Sequence, residues 1–158
     1  MRELGAQIAA DYAARDLLLV ALLKASFVFL ADLSRAIPTL HQLDFVELAG
    51  YDGAATGGHT GVRILQDTAI PVTGLDVLLV EDVVDTGLTL NSLCKQLELR
   101  DPASLRVVTL LDRPYRRLVE DLPVDYVGFT VPDEFFVGYG FDLEERWRNL
   151  PDLHLAHV

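Results

Sequence analysis

One stretch constrains the fold before composition is considered. Leu17-Leu18-Leu19-Val20-Ala21-Leu22-Leu23 runs apolar without a break between Asp16 and Lys24. It is too short to cross a bilayer and lacks the polar alternation of a half-exposed strand. Such a run suits a strand covered on both faces, as strands of a helix-flanked parallel sheet are. Asp76–Val80 reads as another buried strand, and Leu43–Ala49, Leu105–Leu111 and Tyr126–Val131 read as the remaining ones.

Between these strands the periodicity changes. Leu4, Ile8 and Tyr12 recur at helical spacing, which predicts a helix over residues 3–14. Ser26–Ile37 reads as a second helix, with Ser26 as N-cap and Pro38 just past its end. Leu90, Leu93, Cys94 and Leu97 mark a third at i, i+3, i+4, i+7. Residues 50–61 hold five of the chain's 11 glycines and predict a long mobile loop, returning as a hairpin through Val62–Leu65. Strands alternating with helices predict an α/β domain with a mainly parallel central sheet. A length of 158 residues fits one domain, and no repeat, low-complexity tract or linker divides it.

Composition narrows the function classes. With 51% apolar residues a full core is expected. The net charge is −11, with 13 Lys and Arg spread along the chain, which argues against nucleic acid as main partner. An anionic ligand would then need local cations, metal ions or backbone N–H groups. Cys94 is the sole cysteine, so no intrachain disulfide or cysteine zinc cluster can form, and a reducing, cytoplasmic setting is expected. The N-terminus has no apolar signal core, and no membrane association is expected.

In an open parallel sheet, ligands bind beyond the carboxyl ends of the strands. Four polar segments follow strands here: Lys24-Ala25-Ser26, the glycine loop, Glu81 to Thr89, and Asp112-Arg113-Pro114. The third is the most informative. Glu81-Asp82 ends an apolar run, and Asp85-Thr86-Gly87-Leu88-Thr89 opens a helix. Free N–H groups at a helix start and Thr hydroxyls bind phosphate, and Gly87 lets the backbone approach closely. Paired carboxylates suit ribose hydroxyls and a magnesium shell. Phosphate, sugar and metal on one segment point to a phosphorylated pentose; the plainer alternative is a capped helix start with acidic turn residues. P-loop, dinucleotide and nucleophile-elbow motifs are absent. His41, His59, His154 and His157 read as scattered surface residues, and Cys94 as packing.

Val77-Leu78-Leu79-Val80-Glu81-Asp82-Val83-Val84-Asp85-Thr86-Gly87-Leu88-Thr89 resembles the phosphoribosyl-diphosphate motif of type I phosphoribosyltransferases. Leu22 to Leu33, with Lys24-Ala25-Ser26, resembles the first strand, loop and helix of the bacterial hypoxanthine-guanine members. Leu110-Leu111-Asp112-Arg113-Pro114 resembles their purine loop, and Pro132 to Gly140 with Arg148-Asn149-Leu150-Pro151 their C-terminal hood.

The resemblance implies the type I fold with a small hood. The core would cover about residues 1–122, the hood about 123–158 and a lid about 50–61, beginning Gly50-Tyr51. It implies purine salvage: magnesium-dependent transfer of the phosphoribosyl group from phosphoribosyl diphosphate to hypoxanthine or guanine, giving IMP or GMP. Asp85, Thr86, Gly87, Leu88 and Thr89 would bind the 5′-phosphate, with Asp85 also facing purine N7 as catalytic base or acceptor. Glu81 and Asp82 would hold the ribose hydroxyls, partly through magnesium, and Asp142 would ligate a magnesium ion. Lys24, Ala25 and Arg148 would cradle pyrophosphate. Arg113 would donate to the purine 6-oxygen, Phe135 would stack on the base, and the Phe136 backbone would read its edge. A homodimer or homotetramer is implied.

Three positions depart from the family pattern: Ala25 for Gly, Arg113 for Lys, and Gly50 for Ser. Arg is not equivalent to Lys at a tight contact. Xanthine as preferred base, and a nucleotide-sensing RNA regulator of the same fold, are the alternatives; the −11 charge argues against RNA.

Overall fold

The unbroken apolar run is strand β1, Leu17–Leu23, and it lies inside the sheet between two parallel neighbours. In the computed structural model, which describes residues 1–49 and 62–157, β1 pairs with β2 (Gln42–Leu48) on one side and β4 (Asp76–Val84) on the other. β5 (Ser104–Asp112) and β6 (Tyr126–Thr130) extend the sheet in parallel beyond β4. β3 (Ile64–Gln66) closes the opposite edge antiparallel to β2, as the predicted hairpin requires. The order is β3-β2-β1-β4-β5-β6.

Side chains alternate across a strand, so one apolar run feeds two cores. Leu17, Leu19 and Ala21 pack with Ile8 of α1 (Arg2–Asp11) and with Phe29, Leu30 and Leu33 of α2 (Phe27–Ala36). Leu18, Val20 and Leu22 face the other way, toward Leu90, Leu93, Cys94 and Leu97 of α3 (Leu88–Glu98). β4 divides likewise, Leu78 and Val80 to one face and Val77 and Leu79 to the other. Each buried Leu, Ile, Val or Phe among them contributes about 1.5–3 kcal/mol by leaving water.

Several boundaries differ from the predictions. The first helix ends at Asp11, short of residue 14. Ser26 does not cap α2 with its side chain. It already has near-helical dihedrals (φ −73°, ψ −6°), so its buried hydroxyl donates back to the Leu22 carbonyl. β4 runs on to Val84, which puts Glu81 and Asp82 inside the strand, held by pairing with β5 through Val84↔Asp112. The small sheet of β7 (Phe136–Val137) and β8 (His154–Leu155) has no counterpart in the sequence reading; two-residue strands leave no periodicity to read.

Because β1, β4 and β5 are parallel, the segments after them emerge at one edge. Chain order turns back between β1 and β4, which opens a crevice at their carboxyl ends.

Candidate active site

Two hollows lie at that edge. The smaller, about 210 Å³, is lined by Lys24, Ala25, Glu81, Asp82 and Thr89. Lys24 reaches it after a cis Leu23–Lys24 peptide, and its Nζ lies 3.1 Å from Glu145 Oε2. Behind the loop stands Gly140, at φ +98°; a Cβ there would lie 2.1 Å from the Ala25 carbonyl oxygen. No residue but glycine lets the backbones meet so closely.

Glu81 is 9% exposed, and its Oε2 has no hydrogen-bond partner among the described residues. Burial, then the Asp82 charge, pushes its carboxyl well above the usual range. Asp82 is pushed up to about 6, chiefly by burial; its backbone N–H bonds and Arg148 pull it down, and Asp142 pushes it up. Two adjacent carboxylates that resist ionisation, one with an orphaned oxygen, fit a hard divalent cation. No three-ligand cluster forms among the described residues, so Asp142 does not close a cage with the pair. Magnesium does not demand one, since it keeps several waters and substrate oxygens in its shell.

After β4 the chain makes the turn Asp85-Thr86-Gly87 into α3. Gly87 sits at φ +80°, and a Cβ there would press on Leu122 Cδ2 at 2.8 Å and Arg117 Cδ at 3.2 Å. The left-handed turn is what favours glycine here, since the side-chain ends behind it can shift. Arg117 Nε donates to the Asp85 carbonyl at 3.2 Å while its guanidinium pairs with Asp112. The Leu118 N–H donates to the Thr86 carbonyl. The first N–H groups of α3 have no intrahelical partners, as at any helix start, and the Leu88 N–H donates to Thr86 Oγ1 at 3.4 Å.

The larger hollow, about 500 Å³, lies on the β5 side and is lined by Asp85, Arg113, Arg116, Asp133, Glu134, Phe135 and His157, among others. Arg113 is 9% exposed. Its Nε stands 3.3 Å from Asp85 Oδ1, yet neither atom makes a hydrogen bond among the described residues. Charge holds the pair together, and the unaligned donor and acceptor remain open. Arg113 Nη1 donates to the Glu134 carbonyl at 3.1 Å, which fixes the guanidinium. Phe135 is 40% exposed beside them. Phe136 packs its side chain on the core and does not line the hollow.

Arg148 sits behind the smaller hollow, donating through Nη1 to the Gly140 carbonyl at 2.9 Å. Its Nη2 lies 2.8 Å from Asp142 Oδ1 and 3.3 Å from Glu145 Oε1. Hydrogen bonds from Lys24 and then Arg148 hold the Glu145 carboxyl below the ordinary range. Cys94 stays inert, its thiol pushed up to about 12 by burial.

Thus the edge brings together Lys24, Ala25, Glu81, Asp82, Thr89, Asp85, Arg113 and Phe135, with Asp142 and Arg148 beside them. Gly50 and Tyr51 lie outside the described residues. Sequence reading misses Arg116, Arg117, Asp133 and Glu145. The run Arg113-Pro114-Tyr115-Arg116-Arg117 is a visible cue, since the short turn Pro114–Arg116 returns Arg116 toward Asp85. His157 is exposed, as expected of a surface residue, and β8 places it at the larger hollow. His41 differs from the expectation, being half-buried, with Ser34 Oγ and the Thr39 carbonyl engaging its ring at 2.8 and 2.7 Å.

A family model described as phosphoribosyl transferase domain matches residues 1–144. The chain is 46% identical over 151 residues to a hypoxanthine phosphoribosyltransferase of Escherichia coli K12, covering 94% of this chain and 84% of that one. It is 46% identical over 154 residues to a hypoxanthine-guanine phosphoribosyltransferase of Mycobacterium tuberculosis, covering 94% and 75%. A crystal structure of a hypoxanthine phosphoribosyltransferase from Staphylococcus aureus superposes with a TM-score of 0.92 at 41% identity, covering 99% of this chain and 84% of that one.

Proposed function

The chain belongs to the phosphoribosyl transferase family, in its hypoxanthine branch, and from that premise we propose that it transfers phosphoribosyl from phosphoribosyl diphosphate to hypoxanthine or guanine with magnesium, giving IMP or GMP. The observation that carries this reading is the open pair in the larger hollow: a carboxylate, Asp85, and a donor-only cation, Arg113, with atoms 3.3 Å apart that make no hydrogen bond among the described residues. A 6-oxopurine presents the complement, an N7–H donor next to an O6 acceptor. Adenine presents an amino donor where Arg113 also donates, and is disfavoured.

The reaction displaces pyrophosphate from C1 of the sugar by a purine ring nitrogen. The N–H groups opening α3, with the Thr86 and Thr89 hydroxyls, hold the 5′-phosphate. Glu81 and Asp82 accept from the ribose hydroxyls. Lys24, the Ala25 peptide and Arg148 receive the pyrophosphate. Asp85 accepts the N7 proton, which steers electron density to the attacking nitrogen. Phe135 stacks on the base. Magnesium held at Glu81 and Asp82, and a magnesium ion at Asp142, would supply charge neutralisation at the leaving group. The segment beginning Gly50-Tyr51 is assigned as the lid that excludes water. Cytoplasmic location and assembly as a homodimer or homotetramer belong to the same proposal, the first supported by the single buried Cys94 thiol.

The test is product analysis. Hypoxanthine and phosphoribosyl diphosphate with magnesium should give IMP and pyrophosphate in equal amounts, and chelation should stop it. A purified, folded chain that makes neither product would overturn the reading.

A further inference from the structure

Lys24 and Arg148 reach the same carboxylate. Glu145 places Oε2 3.1 Å from Lys24 Nζ and Oε1 3.3 Å from Arg148 Nη2. These cations come from opposite ends of the chain, and Glu145 bridges them from a backbone held at φ +61°. Its N–H donates to Asp142 Oδ2 at 2.9 Å, which fixes that turn. A carboxylate spanning two cations is the charge pattern a diphosphate would bring.

We propose that Glu145 is an internal counter-anion: it occupies the pyrophosphate position in the unliganded chain and is displaced when the diphosphate arrives. This rests on the phosphoribosyl-transfer reading, which assigns Lys24 and Arg148 to the diphosphate. Competition for shared cations has two consequences. Glu145 weakens diphosphate binding, and by returning to its partners it favours pyrophosphate release. Both ion pairs are partly exposed, so the effect is moderate.

Trp147 is the chain's sole tryptophan, 53% exposed two residues from Glu145, and reports on this turn by fluorescence. The experiment titrates inorganic pyrophosphate with magnesium into the whole protein, following Trp147 emission and calorimetric heat. Glu145→Gln should bind pyrophosphate about three- to tenfold more tightly. Glu144→Gln is the control: it removes the same charge next door, where Glu144 is exposed and makes no ion pair among the described residues. Its affinity should stay within about twofold. If Glu145→Gln binds no tighter, or both variants tighten alike, the counter-anion role is overturned while transferase activity stands. If the unaltered chain neither binds pyrophosphate nor turns over, the parent reading falls and this one with it.

Discussion

Gly140→Ala separates two effects that usually arrive together. At φ +98° an alanine is strained, at about 1–3 kcal/mol. Its Cβ would also lie 2.1 Å from the Ala25 carbonyl oxygen, more than about 1 Å inside normal contact. Backbone on both sides must then move, at a further cost of about 1–3 kcal/mol. The total, about 2–6 kcal/mol, should lower the melting temperature by about 6–18 °C for a chain of this size. Gly74 supplies the control. It sits at φ +75°, and a Cβ added there would meet no atom within 4 Å, so Gly74→Ala carries the strain without the clash. Its melting temperature should fall by about half as much, about 3–9 °C. The clash also pushes the loop that receives pyrophosphate, so kcat/KM for phosphoribosyl diphosphate should fall about tenfold or more in Gly140→Ala alone. Thermal unfolding and steady-state kinetics read both effects. Equal losses of stability and activity in the two variants would refute the close approach of Gly140 to Ala25 as the cause.

Three further outcomes are expected. Asp82 has a folded-state pKa raised to about 6 from 3.8, so its protonated form favours the folded chain. That stability is intact below pH 4 and is lost as pH rises through 6, on the order of 2–3 kcal/mol. Asp82→Asn should therefore melt above the unaltered metal-free protein at pH 7.5 and level with it at pH 4, and magnesium should no longer raise its melting temperature. Asp85→Asn should lower kcat by about 10²–10⁴ while pyrophosphate still binds, as calorimetry would show. Arg113→Met should raise KM for hypoxanthine about tenfold or more and leave that for phosphoribosyl diphosphate within about threefold.

How much of this is legible in the sequence differs by element. β1, β4 and α3 are readable because burial on both faces, or on one helical stripe, leaves a periodic trace, as in Leu17–Leu23 and Leu90 to Leu97. The parallel sheet and its ligand edge follow from the alternation of such elements. Long-range pairing is not readable. No local pattern says that Glu145 meets Lys24 across 121 residues, or that Arg117 braces Asp85 across 32. The tail's return to the larger hollow depends on β7 and β8, which are too short to announce themselves, and so the place of His157 is hidden. Gly87 reads in the sequence as openness to phosphate, and its left-handed φ of +80° is a second demand for glycine that no local pattern reveals.

The central claim is tested most directly by initial rates with phosphoribosyl diphosphate and magnesium, offering hypoxanthine, guanine, xanthine and adenine separately. The pairing of Asp85 with Arg113 predicts turnover of hypoxanthine or guanine, and kcat/KM for adenine lower by at least about a hundredfold. Adenine used as well as hypoxanthine, or no base used by a protein that binds the sugar diphosphate, would contradict it.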